Sequence, residues 1–295
     1  MAPNSTPPPT FFGRIVFHLT SDDVFRTAIF AFIASFTVIA AVASVTGSFL
    51  VGLLASVIVL LVAYAVGESC EFINNQILMP AAFLGCAVAV NLVYTVAHEG
   101  ELWEYFSRYF LFLSVFHFSE FVFTALTNRR TLGPDSFLLK HSFGYWLAAS
   151  IGWIEFLIEA NFYPEIKMYS VLWIGTFGCI IGEIVRKVGM VHAGLAFTHL
   201  MARTKRSGHT LINTGIYAYM RHPGYFGWFI WAVSTQIVLC NPISFVIYTF
   251  VTWRFFANRI EIEEKDLISF FGDDYAEYQR KTWSGVPFAR GYQKP

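Results

Sequence analysis

Long stretches of apolar residues without any charge dominate the first quarter of the chain. Residues 27–67 form a run of 41 residues that contains no Asp, Glu, Lys or Arg. A helix needs about 20 apolar residues to cross the hydrocarbon core of a bilayer, so this run has the length of two spans. The turn signal nearest its middle, Thr46-Gly47-Ser48, predicts spans at about 27–45 and 49–67.

Six further apolar segments follow along the chain. They cover residues 77–97, 102–126, 143–160, 168–184, 225–240 and 243–256. The last two are short for full spans, and Asn241-Pro242 between them predicts a tight turn, because proline ends one helix and starts the next. We predict an all-α integral membrane protein with about eight transmembrane helices. The last two form a short helical hairpin, which is followed by a cytosolic C-terminal helix.

The distribution of Lys and Arg orients these spans. With a cytosolic N-terminus, eight spans place 18 of the 20 Lys and Arg residues on the cytosolic side, and only Arg108 and Lys167 fall on the far side. The positive-inside rule favours this orientation over its reverse. Charged residues make up 14% of the chain and hydrophobic residues 56%, which excludes an ordinary soluble enzyme, a coiled coil and a disordered chain. The net charge of zero gives no basic excess, so we expect no nucleic-acid partner.

The cysteines and the first ten residues carry little chemistry. The four cysteines are widely spaced, and none belongs to a CxxC pair or a Cys/His cluster. We therefore expect no disulfide framework and no metal site. Residues 1–10 are rich in proline and lack the charged start and cleavage site of a secretory signal peptide, so we expect the first span to act as the insertion signal.

Residues 209–228 are too polar for the membrane core and end at the start of the seventh predicted span. Pro223 suits the first turn of that helix. The backbone N–H groups of a helix start, together with the positive end of the helix dipole, favour a bound anion, and His222 adds a donor there. The alternative is a membrane-interface anchor, since Tyr and Trp gather at that depth.

Glu264 lies within a stripe of apolar residues on the predicted C-terminal helix. At about 100° per residue, the stripe comprises Ile260, Leu267, Ile268 and Phe271. An acid on a buried face needs a partner, and a salt bridge that pins the tail helix is an equally good interpretation. Arg259 lies about 140° away around the same helix. The two side chains can share one site only if the helix breaks between them or a ligand wraps around it.

Three acids, Glu120, Glu155 and Glu183, lie at membrane depth, and His117 shares a helix face with Glu120. Intramembrane acids are candidate functional residues. Close to the end of a span, as for Glu183, an anchoring or inter-helix hydrogen bond is the more common role.

Several ordered motifs in the C-terminal two thirds resemble the integral-membrane methyltransferases, and more narrowly the animal isoprenylcysteine carboxyl methyltransferases. The main motifs are Arg221-His-Pro-x-Tyr225-x-Gly227, Glu264-x-x-Leu267, Phe270-Phe-Gly272-x-x-Tyr275-x-x-Tyr278 and His209-Thr-Leu-x-x-x-Gly215-x-Tyr217. Supporting ones are Phe116-His-x-Ser-Glu120, Asn241-Pro242, Trp253-Arg-Phe-Phe256 and Thr282-x-x-Gly285-x-Pro287-Phe288. The similarity runs from about residue 104 to the end.

The resemblance implies methyl transfer from S-adenosylmethionine to the C-terminal carboxylate of a prenylated cysteine, with S-adenosylhomocysteine as product. It implies that Arg259 and Glu264 are the polar catalytic residues. The implied lining of the methyl-donor pocket is His209, Thr210, Leu211, Ile212, Tyr217, His222, Pro223, Gly224 and Tyr225. The sequence departs from the family pattern at Gly224 and at residues 282–284, which are variable positions of that pattern. Neither departure affects this assignment.

The chemistry of that reaction agrees with the residues present. A carboxylic acid has a pKa of about 3.5, so its carboxylate is already a nucleophile at neutral pH and the reaction needs no general base. The site has to remove water from the carboxylate and direct the carboxylate at the methyl group. We expect Arg259 to grip that carboxylate and Glu264 to face the sulfonium or amino group of the donor. His222 and the helix start would bind the donor's own carboxylate.

The implied organisation is a methyltransferase region at 101–295 behind three N-terminal transmembrane helices at 1–100. The implied substrates are prenylated CaaX proteins such as small GTPases. The implied location is the endoplasmic reticulum membrane, with the active site facing the cytosol. Membrane lipid is a further expected partner, because a prenyl tail gains roughly 0.8 kcal/mol for each buried CH₂.

Three other functions remain open from the residues alone. A phospholipid N-methyltransferase would use the same donor but an amine nucleophile that must lose a proton. An NADPH-dependent sterol reductase would need a basic pocket, for which only Lys205-Arg206 is a candidate pair. A non-enzymatic carrier or receptor would leave the polar segment 209–228 and Glu264 without a role.

Overall fold

The structure, a computed structural model, describes residues 10–70, 73–140, 143–201, 204–205 and 210–293. It divides into two compact units, 1–140 and 141–295. Each unit is built from α-helices and short 3₁₀ turns within the described residues, apart from one isolated bridge between Met220 and Trp283.

The first unit contains five helices. They are α1 (Phe11–Ser21), α2 (Asp23–Thr46), α3 (Phe49–Ser69), α4 (Asn75–Ala97) and α5 (Leu102–Thr127), followed by 3₁₀ turns at Arg129–Thr131 and Pro134–Phe137. The predicted turn between the first two spans is confirmed, and Gly47 ends α2 with a φ of 61°. Helix α1 has no counterpart in the prediction.

Helices α2 and α4 pack closely at the centre of this unit. A Cβ on Gly85 would lie 2.4 Å from the Phe32 carbonyl oxygen, so only glycine permits this approach. The junction between α1 and α2 is fixed by Asp22, which accepts hydrogen bonds from the N–H groups of Val24 and Phe25 and forms an ion pair with Arg129.

The second unit contains five further helices within its described residues. They are α6 (Phe143–Phe162), α7 (Tyr169–Ala193), α8 (Pro223–Val238), α9 (Pro242–Phe271) and α10 (Asp273–Lys281), with 3₁₀ turns at Pro164–Ile166, Gly194–Ala196 and Gly215–Ala218. Helix α8 begins at Pro223, as predicted, and Asn241-Pro242 forms the hairpin turn into α9. Helix α9 continues without a break past the predicted end of the last span to Phe271.

Four helices of the first unit, α2 to α5, have the length and apolar composition to cross a membrane; among the described residues no other helix meets both criteria. Large apolar side chains point outward along them, such as Phe30 on α2, Ile58 on α3 and Phe83 on α4, as expected where lipid replaces water. The membrane fold is therefore supported. Helices α6 to α9 coincide with the other four predicted segments, and their crossing of the membrane stays a prediction.

Glycines allow α7 and α8 to make backbone contact. A Cβ on Gly182 would lie 2.6 Å from the Gly227 carbonyl oxygen, and a Cβ on Gly227 would lie 2.6 Å from the backbone nitrogen of Arg186. This close crossing places the start of α8 directly beside the cationic end of α7, where the candidate site lies.

Candidate active site

The start of α8 is held in place by the C-terminal tail, the segment that follows α10. The backbone N–H of Arg221 donates to the Trp283 carbonyl at 2.8 Å, and that of His222 donates to the Ser284 carbonyl at 3.0 Å. Within the helix, the N–H groups of Tyr225 and Phe226 both donate to the His222 carbonyl. The first turn of α8 therefore has little freedom, and two of its N–H groups are already bonded inside the helix.

Glu264 is fully buried at the centre of a hydrogen-bond network. Its Oε1 accepts from Arg221 Nε at 2.7 Å, from His222 Nε2 at 3.0 Å and from the Tyr275 hydroxyl at 3.2 Å. Its Oε2 accepts from Gln279 Nε2 at 2.7 Å. Four side chains, two from the start of α8 and two from α10, thus bind one carboxylate.

The same network fastens the tail. The Arg221 guanidinium donates to the carbonyls of Gln279, Thr282 and Arg290. The tail backbone passes over Glu264 at Gly291, which has a φ of 76°, and a Cβ there would lie 1.6 Å from Oε2. Arg221 and Glu264 therefore form a buried ion pair that fixes the tail to α8 and α9. The pinning salt bridge considered from the sequence is present.

Electrostatics fix the protonation states of Glu264 and Tyr275 in this network. Burial alone would raise the pKa of Glu264, but the hydrogen bonds and charges of His222 and Arg221 hold it below its ordinary value of 4.5. Burial and the charge of Glu264 raise the pKa of Tyr275 well above its ordinary range. At neutral pH the carboxylate is therefore ionised, and the tyrosine hydroxyl is a hydrogen-bond donor.

Arg259 belongs to a second set of contacts, on another face of α9. Its Nε donates to the Tyr225 hydroxyl at 2.9 Å, its Nη2 donates to the His199 carbonyl at 2.6 Å, and its guanidinium lies 5.4 Å from the centre of the Tyr225 ring. The Tyr225 hydroxyl in turn donates to Glu263 at 2.5 Å. These contacts fix the position of a half-buried guanidinium.

The stacked rings of His222 and Tyr225 connect the Glu264 network to the contacts of Arg259. His222 and Tyr225 lie on the first turn of α8 with ring centres 5.5 Å apart and planes within 7° of parallel. His222 binds Glu264, and Tyr225 binds Arg259. The two candidate catalytic residues therefore meet the same helix turn from different faces of an unbroken α9, without a hydrogen bond between them.

Arg186 on α7 supports this turn from the other side. It is buried, donates from Nη1 to the Gly224 carbonyl at 3.1 Å, and lies 4.7 Å from the centre of the Trp228 ring. A Cβ on Gly224 would lie 3.3 Å from the ring of Phe197, which explains the tight packing at this position.

The remaining predicted donor-pocket residues belong to the segment that leads into α8 along the chain. Leu211 packs against the cluster of Ile268 and Tyr275, and the Tyr217 carbonyl accepts from the Tyr278 hydroxyl at 2.5 Å. Thr210 is exposed, and Ile212 is half-buried. Pro223 is buried at the start of α8. His209 lies outside the described residues.

Two of the three acids predicted at membrane depth, Glu155 and Glu183, bind neighbouring protein groups. The carboxylate of Glu155 accepts from the N–H groups of Ile243 and Ser244 at the start of α9, and Glu183 pairs with Lys187 at 3.3 Å. Glu120 is fully buried in α5 of the first unit. Glu155 is therefore a helix cap. Among the described residues, no group of three or more His, Cys, Asp or Glu is arranged to hold a metal ion.

Sequence reasoning missed Glu263, Arg186, Gln279 and Gly291 as parts of the site. For Glu263 a signal was available, since it lies four residues after Arg259 and therefore on the same helix face. Gln279 lies four residues after Tyr275, which also places both on one face. The sequence holds no local signal for Arg186 or Gly291, because their roles depend on contacts with distant segments.

A family model described as the isoprenylcysteine carboxyl methyltransferase (ICMT) family matches residues 173–269, which include most of α7, all of α8 and nearly all of α9. The protein-S-isoprenylcysteine O-methyltransferase of Xenopus laevis is 44% identical over 219 residues, covering 73% of this chain and 75% of the relative. The chain belongs to the isoprenylcysteine carboxyl methyltransferase family.

Further members of this family also match the chain. The human protein-S-isoprenylcysteine O-methyltransferase is 42% identical over 219 residues, covering 73% of this chain and 76% of that protein. A solved structure described as the eukaryotic intramembrane Ras methyltransferase ICMT superposes with a TM-score of 0.85 at 34% identity, covering 92% of this chain and 99% of that one. The resemblance identified from the sequence motifs is confirmed.

Proposed function

We propose that this protein methylates the C-terminal carboxylate of prenylated cysteine, using S-adenosylmethionine and releasing S-adenosylhomocysteine. Family membership supports the reaction class. The observation that carries the proposal to particular residues is the position of Arg259. Its Nε and Nη2 are bonded to the protein, whereas Nη1 has no hydrogen bond to any described residue.

Arg259 is proposed to bind the carboxylate of the substrate. A carboxylate is ionised at neutral pH, so the chain needs to orient and desolvate it but not to deprotonate it. A guanidinium held on three sides loses little rotamer freedom when it binds an anion. Tyr225 and Glu263 act as positioning residues, because they hold the guanidinium from Nε.

The residues around the first turn of α8 fit the chemical groups of the donor, which supplies an electrophilic methyl group on a sulfonium. Two carboxylates, Glu263 and Glu264, and the stacked rings of His222 and Tyr225 suit a cationic ligand. We propose that the donor is held here by the following residues: His209, Thr210, Leu211, Ile212, Tyr217, His222, Pro223, Gly224 and Tyr225.

Glu264 is proposed to supply negative charge near the sulfonium and amino group of the donor. Both its oxygens already accept hydrogen bonds from protein side chains. Oε1 accepts three of these bonds and Oε2 accepts one, from Gln279, so a direct contact with the methyl donor would fall on Oε2. Otherwise Glu264 acts through His222, which it orients at Nε2. In either case Arg221 keeps the carboxylate ionised.

The prenyl tail is proposed to remain in the apolar surroundings of the spans while the donor enters from the cytosol. The charge distribution along the sequence supports a cytosolic active site. The substrates would be CaaX-processed proteins such as small GTPases, at the endoplasmic reticulum membrane. The methyltransferase region would comprise residues 101–295, behind the N-terminal helices of residues 1–100.

The proposal is tested with purified protein in lipid vesicles, a farnesylated cysteine analogue and a tritiated methyl donor. We expect base-labile methyl ester on the prenylcysteine. Arg259→Lys serves as the matched control, since it keeps the charge but loses the planar fork, and it should form ester more slowly. Label found only in N-methylated phospholipid, with none on prenylcysteine, would contradict the proposal.

A further inference from the structure

The C-terminal tail carries an exposed aromatic loop, here called the tail loop, between Trp283 and Arg290. Phe288 is 90% exposed and Trp283 is 48% exposed. Phe288 also has a φ of 60°, a left-handed conformation that is unfavourable for a bulky residue. A large apolar side chain held outward in a strained conformation indicates a surface with a binding partner.

The tail loop packs at the level where α9 passes from apolar to charged residues. The Trp253 indole N–H donates to the Pro287 carbonyl at 2.6 Å, and Val286 packs in the hydrophobic cluster that contains Phe256. Arg254, the next residue after Trp253, is the first cation of α9 and is exposed. Tryptophan followed by a cation is typical of a helix at the membrane–water interface.

The neighbouring apolar surface of α9 faces outward as well. Val246, Phe250 and Val251 are all at least half exposed on the segment that leads to Trp253. In a membrane protein such a surface is covered by lipid. Phe288, which follows the Pro287 that is bonded to Trp253, lies at the end of this surface.

The charge of the tail loop suits contact with lipid headgroups. Arg290 is exposed, and together with Trp283 and Phe288 it lines a cavity of about 390 Å³ that also reaches Arg221. Aromatic side chains beside guanidinium groups match the headgroup region of a leaflet that contains anionic lipid.

We propose that the tail loop is a membrane-interface anchor, which inserts Phe288 and Trp283 into the headgroup region of the leaflet beside the active site. Arg221 binds the carbonyls of Thr282 and Arg290, one just before the tail loop and one at its end. Lipid contact of the tail loop therefore fixes the backbone that holds Arg221 and Glu264. The anchor couples membrane binding to the geometry of the site, a role that goes beyond methyl transfer.

The test places an environment-sensitive NBD fluorophore on Phe288→Cys in full-length protein with Cys70→Ser, since the other three cysteines are buried. The protein is reconstituted into vesicles that carry a nitroxide lipid labelled near the headgroup. Glu277→Cys, exposed on α10, is the matched control. We expect blue-shifted emission and at least twofold stronger quenching at position 288 than at 277.

Equal emission and equal quenching at the two positions would overturn the proposal, whether another protein, a second copy or water covers the tail loop. A second measurement keeps the result independent of the label. Phe288→Ser should raise the KM for farnesylcysteine severalfold in vesicles and leave it unchanged when the substrate and protein are in detergent micelles. An equal change in both settings would count against the anchor.

Discussion

Two clusters of buried charge lie in the second unit, and they differ in what they leave accessible. At the hairpin turn, Lys167 binds Glu159 at 2.5 Å and donates to the carbonyls of Leu239 and Cys240. At the other end of α8, Glu264 binds Arg221 and three further side chains. Both clusters are closed networks of hydrogen bonds.

The two clusters differ in the groups that border them. The hairpin cluster ends in backbone carbonyls and in the N–H groups capped by Glu155. The Glu264 cluster continues through the stacked rings of His222 and Tyr225 to the half-buried Arg259. A buried acid is therefore not by itself evidence of catalysis. A preorganised charge that a ligand can still reach is the more informative feature.

Lys167→Ala should give the largest effect on stability and the smallest on chemistry. It leaves Glu159 buried without its cation, which costs about 3–5 kcal/mol. We expect a large drop in thermal midpoint in mild detergent, with unchanged specific activity of the fraction that remains folded. Lost activity in correctly folded protein would remove the distinction between the two clusters.

Glu264→Gln should lower both stability and turnover. The amide keeps the size of the carboxylate but leaves Arg221 without a buried anion, at a cost of about 1–3 kcal/mol. We expect turnover to fall at least tenfold, measured by methyl ester formation alongside the thermal midpoint. A stable variant with normal turnover would show that Glu264 has neither role.

Arg259→Ala should affect chemistry with little effect on folding, because the guanidinium is half-buried and its removal leaves no buried charge unpaired. We expect at least a tenfold loss of kcat/KM, equivalent to about 1.4 kcal/mol of barrier. The thermal midpoint should stay within a few degrees of the parent protein. Near-normal kcat/KM would exclude Arg259 from the mechanism.

Glu263→Gln should produce a smaller, indirect effect. It weakens the acceptor of the Tyr225 hydroxyl, which in turn contacts Arg259. We expect a severalfold rise in KM for prenylcysteine and a smaller change in KM for the methyl donor. If Glu263→Gln has the same effect in an Arg259→Ala background, it does not act through Arg259.

The smallest expected effect is in the pH dependence of stability. The pKa of Glu264 is held below its ordinary 4.5 in the folded protein, so its contribution is fully present above that value. The contribution is lost as the pH falls through the lower folded value. The parent protein should therefore lose more stability below pH 4.5 than Glu264→Gln does, in unfolding measured across that range. Parallel pH profiles would contradict the assignment.

Apolar runs and proline turns predict most helices of this protein because a span needs length and composition, which are local properties. Pro223 and Asn241-Pro242 mark helix boundaries for the same reason. The pattern does not predict α1, or that α9 continues from the last span into the C-terminal segment as one unbroken helix. It also identifies Glu264 as a buried acid but not its partners, since Arg221, Gln279 and Gly291 meet it only through tertiary packing.

The central claim is that Arg259 recognises the substrate carboxylate while Glu264 maintains the site around it. The most direct measurement is a binding titration in vesicles that compares farnesylcysteine with its neutral carboxamide. The parent protein and Glu264→Gln should both prefer the carboxylate, and Arg259→Ala should lose at least tenfold of that preference. An undiminished preference for the carboxylate in Arg259→Ala would contradict the account.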